Sequence, residues 1–252
     1  MGMRNGGEDV FKDIRDSFDS LHGHLHILEQ RVPVELQMAY FKYSDRVRKE
    51  NPAPRPFSEE ECERLYEELV SSDTADRARK RYLLCLLATS RSVRAYRLLE
   101  EYVQAPDPLV TEWAYMALME SRISLESDLS NEKQVYISTG MGGKGEKLRF
   151  YVLMLSNGKK PFLEYQRQTI EREFAYYLEK ADCEIERLTI GEQYVELLFL
   201  LPIRVDIKPL LDKLVNECNQ YGNFLSASYT VTNVKELTHE EILELVNKDG
   251  NN

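Results

Sequence analysis

No stretch of this 252-residue chain approaches the roughly 18 uninterrupted apolar residues that a membrane-spanning helix requires. Glu8, Asp9, Asp13 and Asp16 stand where a secretory leader would carry its apolar core, so neither insertion nor secretion is expected, and the cytoplasm is the expected compartment. A myristoylation start is missing as well, because Gly6 occupies the position that needs Ser or Thr. Cysteine is scarce. Cys62, Cys85, Cys183 and Cys218 lie far apart without a CxxC pair, which argues against a zinc site or a disulfide framework and predicts buried thiols in a reducing compartment. The net charge of −10 disfavours wholesale attraction to nucleic acid or anionic lipid, although a local patch can act against the global sign. A nucleophile triad, a catalytic pair of carboxylates and a metal-ligand cluster are all lacking, so binding is expected rather than catalysis, with no cofactor and no metal.

What is present reads as globular: 42% of residues are hydrophobic and 30% charged. The length suits two domains, and the pattern changes from helical spacing to short apolar runs near residue 135. An all-α domain over 1–134 and an α+β domain over 135–252 are expected. Residues 135–235 carry 13 basic and 13 acidic side chains, so the second domain is neutral before an acidic tail.

Phe11, Ile14, Phe18, Leu21, Leu25 and Leu28 follow a/d spacing, which predicts a helix closed by Pro33 and packed on a second helix from Val34 to Glu50. Pro52, Pro54 and Pro56 make a stiff connector, and Ser58 with Glu61 forms a capping box for the following helix. Helices near Asp73–Thr89, Ser92–Gln104 and Pro108–Leu129 complete the half, joined by short turns that imply antiparallel neighbours. His22 and His26 have i, i+4 spacing, but they flank the apolar stripe, which makes a solvated helix edge the better account than a metal pair. Arg77, Arg79, Lys80, Arg81, Arg91, Arg94 and Arg97 could face a phosphate backbone, yet acidic neighbours favour internal ion pairs first. The Asp107-Pro108 turn and the helix through Trp113-Ala114-Tyr115-Met116-Ala117-Leu118 resemble HEAT-type helical repeats, over about one and a half repeats. That resemblance implies a protein-binding module.

In the second half, strands near Leu148–Leu155, Cys183–Ile190, Tyr194–Leu201 and Ser226–Val234 alternate with helices near Pro161–Lys180 and Ile207–Tyr221. The order βαββαβ is the ferredoxin-like, split βαβ plan, an antiparallel sheet with two helices on one face. Gly143-Lys144 ends like a phosphate loop, but Ser138 and Gly145 break that pattern, so a tight hairpin or an interdomain hinge with "VYIST" as leading strand is expected. The tyrosines of "FAYYLE" at Phe174–Glu179 lie at helical spacing and predict core packing.

From Leu148 to about Val246 the chain resembles the single-tyrosine, HUH-type transposases and their repeat-associated relatives. "LSNGKKPFL" is similar to the family's basic turn before the first helix, and "CEIERLTIGEQYVELLFLLPIRVDIKPLLDKL" to its hairpin, its "D-H-V-H-L-L" strand and its second helix. "SASYTVTNVKELTHEEILELV" resembles its last strand and the helix that carries the nucleophile. The resemblance implies two metal-binding histidines and an attacking tyrosine. At those positions this chain has Tyr194, Glu196 and Leu245, so strand cleavage is expected to be absent. Tyr194 and Glu196 share a strand face, but one carboxylate without partner ligands holds metal weakly, and a surface-facing pair is expected. Contact with DNA or RNA in a regulatory role would run through Lys159, Lys160 and Lys213, and the resemblance suggests a homodimer through the α+β domain. The alternative is a protein-interaction adaptor without nucleic-acid binding, whose solenoid grips a partner.

Overall fold

The computed structural model describes residues 25–52, 56–71, 76–130 and 134–248, and the chain divides between Ile137 and Ser138 into two compact units. Mixed helix and antiparallel sheet make the chain α+β.

Helices α1 (Val34–Glu50), α2 (Glu59–Val70), α3 (Arg77–Thr89), α4 (Val93–Tyr102) and α5 (Thr111–Ser130) build the first unit. Leu83 through Ala88 are buried without a break, so α3 has no polar face along this run and must be central. It accordingly touches each of the other four helices. Local chemistry sets the boundaries. The Ser58 hydroxyl accepts from the Glu61 amide at 3.2 Å while the Glu61 carboxylate accepts from the Ser58 amide at 2.6 Å, closing the expected capping box of α2. Asp76 caps α3 by accepting from the Ala78 amide at 2.9 Å. Asp107 accepts from the Leu109 amide at 2.8 Å, and this turn delays the start of α5 to Thr111, three residues beyond Pro108.

A helix over Phe11–Leu28 is not what its described end forms. Leu25–Ile27 is a strand, β1, paired in parallel with β2 (Val135–Ile137) through Leu25↔Val135, His26↔Tyr136 and Ile27↔Ile137. The Leu28 amide adds a bond to the Ile137 carbonyl at 3.1 Å. Long-range backbone pairing therefore overrides the local a/d pattern, and Pro33 precedes α1 as its N-cap instead of closing a helix. The rest of that segment, with His22 and His24, lies outside the described residues. His26 stacks on Tyr136 at 5.4 Å and meets Glu126 at 2.5 Å.

In the second unit, β3 (Gly143–Lys144) turns into β4 (Lys147–Ser156) by a two-residue hairpin with Gly145 at φ 57°, which accounts for the glycine-rich sequence. "VYIST" does not lead this sheet, because its first three residues are β2 of the helical unit. Helix α6 (Glu164–Lys180), strands β5 (Glu184–Ile190) and β6 (Tyr194–Pro202), helix α7 (Ile207–Asn219) and strand β7 (Leu225–Thr232) follow in the order read from the sequence. The strands align as β5-β6-β4-β7, each pair antiparallel. Helices α6 and α7 pack on each other and on β5 and β7. Phe174 and Leu178 reach the core from α6, whereas Tyr176 stays 54% exposed and Tyr177 is half-buried, so the core packing expected of these tyrosines falls to their apolar neighbours instead.

A last helix, α8 (His239–Lys248), brings Ile242, Leu245 and Val246 against Tyr151, Leu153 and Leu198. The register Tyr151↔Leu198 and Leu153↔Glu196 puts these residues on one face of the sheet, leaving the opposite face to α6 and α7. Coverage on both faces explains why β6 reads as a nearly continuous apolar run.

Candidate functional site

Strand alternation places Tyr194 and Glu196 on the face of β6 that α8 covers, and the structure gathers both with Leu245. Tyr194 and Leu245 pack against the same apolar cluster as Ile242. The Tyr194 ring crosses Gly191, where an added Cβ would stand 2.7 Å from it, so the β5–β6 turn accepts this ring only with glycine there. Glu196 is turned toward β4 and accepts from the Tyr151 hydroxyl at 2.8 Å. Burial, followed by that carboxylate, pushes the Tyr151 phenol far above its usual range. Both expected site residues are thus half-buried beneath α8 rather than a surface-facing pair, because Ile242, Leu245 and Val246 give α8 an apolar stripe that needs a sheet to cover. Around this cluster Arg187 pairs with Glu236, and Arg149 grips Glu186 through two bonds of 2.6 and 2.7 Å while donating to the Met141 carbonyl at 2.6 Å. Among the described residues, no three His, Cys, Asp or Glu side chains gather as metal ligands.

The three lysines do not form one patch. Lys159 ends the 3-10 turn Asn157–Lys159 that follows β4, and its ammonium donates to the Asn247 carbonyl in the last turn of α8 at 2.9 Å. Lys160 is exposed beside it. Lys213 sits on α7 with its ammonium 4.6 Å over the Tyr177 ring of α6, so it belongs to the helical layer.

Next to Lys159 lies a notch of about 110 Å³ that the sequence did not reveal. Ser156, Asn157, Gln193, Ser226 and Val246 share its lining with Lys159, and among the described residues no carboxylate lines it. Backbone bonds hold the walls together, from the Ser156 amide to the Gln193 carbonyl at 2.8 Å and from the Asn157 amide to the Phe224 carbonyl at 2.7 Å. Ser156 is 7% exposed, and its hydroxyl has no hydrogen-bond partner among the described residues. Ser156, Asn157 and Lys159 are neighbours in the sequence, but sheet pairing and the docking of α8 bring in Gln193, Ser226 and Val246, which no spacing in the sequence could have found.

In the helical unit, ion pairs take Arg79 with Glu68, Lys80 with Asp107, Arg91 with Asp128, Arg94 with Glu63 and Arg97 with Glu100. Arg81 lies 4.3 Å over the Trp113 ring. The basic cluster is thereby largely engaged within the unit.

No family model and no curated protein matches the chain. Among solved structures, it is similar to a protein of Deinococcus radiodurans R1 with a provisional assignment as a transposase, at 16% identity and a TM-score of 0.37 over 42% of this chain and 93% of that one. It is also similar to a REP-associated tyrosine transposase bound to a REP hairpin, at 15% identity and a TM-score of 0.31 over 46% of this chain and 68% of that one.

Proposed function

We propose that the chain is a non-catalytic, cytoplasmic nucleic-acid-binding protein, in which a transposase-like α+β module has kept its scaffold and lost its strand-cleaving chemistry. A HEAT-like helical module is joined to it. The observation that carries this reading is the closure of Tyr194, Glu196 and Leu245 beneath α8: two of the three pack in an apolar cluster, and the third is committed to the Tyr151 hydroxyl. Such an arrangement offers neither a nitrogen pair for a divalent cation nor a nucleophile aimed at phosphorus. Binding in a regulatory role would then rest on the exposed turn with Lys159 and Lys160, while the engagement of Lys213 with Tyr177 leaves it a lesser part. A gel shift with structured single-stranded DNA at low salt tests the proposal. Binding should weaken at least about fivefold in Lys159→Ala/Lys160→Ala, by analogy with the loss of two phosphate contacts. Neither nicking nor a covalent protein–DNA adduct should appear with added divalent metal. A metal-dependent nick would overturn the non-catalytic assignment.

One observation favours a second reading, in which the protein is an adaptor. Met38 and Phe41, one turn apart on α1, are 68% and 43% exposed. Absence of any gel shift at low salt would leave this reading, with dimerisation through the α+β unit as its companion proposal. β7 suits that role, since among the described residues it pairs with β4 alone.

A further inference from the structure

Five of the basic side chains from Arg77 to Arg97 are paired with carboxylates, and two, Arg77 and Arg81, are not, among the described residues. These two stand one turn apart on α3, so like charges share one face of the helix. Arg77 also adds its charge to the positive end of α3, where the Asp76 cap offsets it without pairing. Arg81 lies on the Trp113 ring and is half-buried: its Nε is closed off without an acceptor among the described residues, while its terminal nitrogens keep access to solvent. Burial, followed by the Arg77 charge, holds this guanidinium below its ordinary value, and Glu112 of α5, the carboxylate felt there, makes no ion pair with it. Each of these costs is relieved by an anion that reaches Arg81 from outside.

The surroundings select the kind of anion. Arg81 covers one face of Trp113, and Tyr40 and Tyr43 meet the ring edge-on at 5.1 and 5.6 Å, so no indole face is open for a base to stack on. On α1, Arg46 lies 4.7 Å over the Tyr43 ring, and Lys42 and Met38 continue from it at successive four-residue steps. Met38 and its neighbour Phe41 are exposed, so the strip passes from apolar to basic along the helix. A phosphodiester backbone has no use for the apolar end, whereas a peptide can supply both characters. We propose that this strip binds an acidic peptide of a partner protein, with a side-chain carboxylate held by Arg81 and Arg77 and an apolar residue, a few positions along the peptide, covering Met38 and Phe41. The proposal deepens the adaptor reading, on which it rests for the class of partner, and is separate from the nucleic-acid reading, whose contacts lie in the α+β unit.

Trp113 is the single tryptophan of the chain, so its emission reports on the site. The probe is a synthetic peptide of six glutamates flanking two leucines, with blocked ends and a fluorescent label, titrated into the full chain at constant ionic strength. Anisotropy of the label should show saturable binding, and an unlabelled copy should change Trp113 emission over the same concentration range. The counterpart with lysine in place of glutamate should do neither. Arg81→Gln should weaken binding roughly tenfold, as loss of a hydrogen bond to a charged group does, and Arg77→Gln, at an exposed position with no packing to lose, about threefold. Anisotropy keeps Arg81→Gln readable although that change also alters the surroundings of Trp113. Absence of binding, or an affinity that neither variant lowers, would overturn the strip while leaving the adaptor reading to partners on another face. Single-stranded DNA that displaces the peptide and perturbs Trp113 would likewise overturn it, by making the surface a nucleic-acid site. If the peptide binds as expected and a gel shift is lost in Lys159→Ala/Lys160→Ala, the strip stands and the adaptor reading falls as the sole function.

Discussion

Glu120 enters the helical core from α5 and meets three side chains spaced four apart on α1. Tyr40 donates to it at 2.7 Å and Ser44 at 2.6 Å, and Arg48 completes the set from the surface side. Burial, then this carboxylate, holds the Tyr40 phenol well above its usual range. Tyr40→Phe removes one donor from a buried carboxylate, and the expected cost is about 1–3 kcal/mol in urea unfolding. An unchanged midpoint would mean that the freed oxygen had found another donor. Lys80 and Asp107 make a second residue-scale test. The Lys80 ammonium, 2.5 Å away, and the Leu109 amide hold the Asp107 carboxyl below its usual value of 3.8. A depressed acid contributes stability that is complete above its unfolded value and lost as pH falls through the folded one. Asp107→Asn should thus be less stable than wild type at neutral pH, and the two should converge as the solution is acidified below that value. A gap that persisted in acid would assign the effect to the turn and not to the charge. At this scale the sequence was informative where partners are local, as in Ser58 with Glu61. It was silent where they are distant, as in Tyr40 with Glu120.

Among the elements, legibility followed range. Helix α1 was legible between Pro33 and the connector that begins at Pro52, and the βαββαβ order from its short apolar runs and helical stretches, because each depends on neighbours within a few residues. Strand β1 could not, and of β2 only the strand itself was legible, in "VYIST", since each is three residues long and has its partner more than 100 residues away. The face covered by α8 was equally hidden. Its apolar stripe is visible in Ile242, Leu245 and Val246, but the surface that receives it is defined only by the register of β4 and β6. Near the sheet, the segment entering β3 crosses the one leaving β7 at Gly140, where a Cβ would stand 2.0 Å from the Val234 carbonyl oxygen. The Met141 amide bonds the Asn233 carbonyl at 3.1 Å beside it. Gly140→Ala must force two backbones apart, and a loss on the order of 2 kcal/mol or more is expected by chemical denaturation. A loss of a few tenths would show that this crossing yields easily.

For the whole molecule, charge constrains how nucleic acid can be held. With a net charge of −10 and many cations engaged internally, a strand could be gripped at few points. If Lys159 and Lys160 each neutralise one phosphate of a single strand, the logarithm of the binding constant should fall with the logarithm of salt at a slope of about −1.4, and Lys159→Ala should reduce the slope by about 0.7. A slope several times steeper, measured by titration at graded salt, would place the contact surface elsewhere. The parallel pairing of β1 with β2 has a consequence of another kind. It sets the first and last described residues of the helical unit, Leu25 and Ile137, roughly 8 Å apart, from the spacing between strands and the rise of two residues along one. That unit is therefore a cassette with adjoining ends: it can be circularly permuted with a bridge of a few residues, and evolution could have inserted or removed it whole without stretching the polypeptide that carries it.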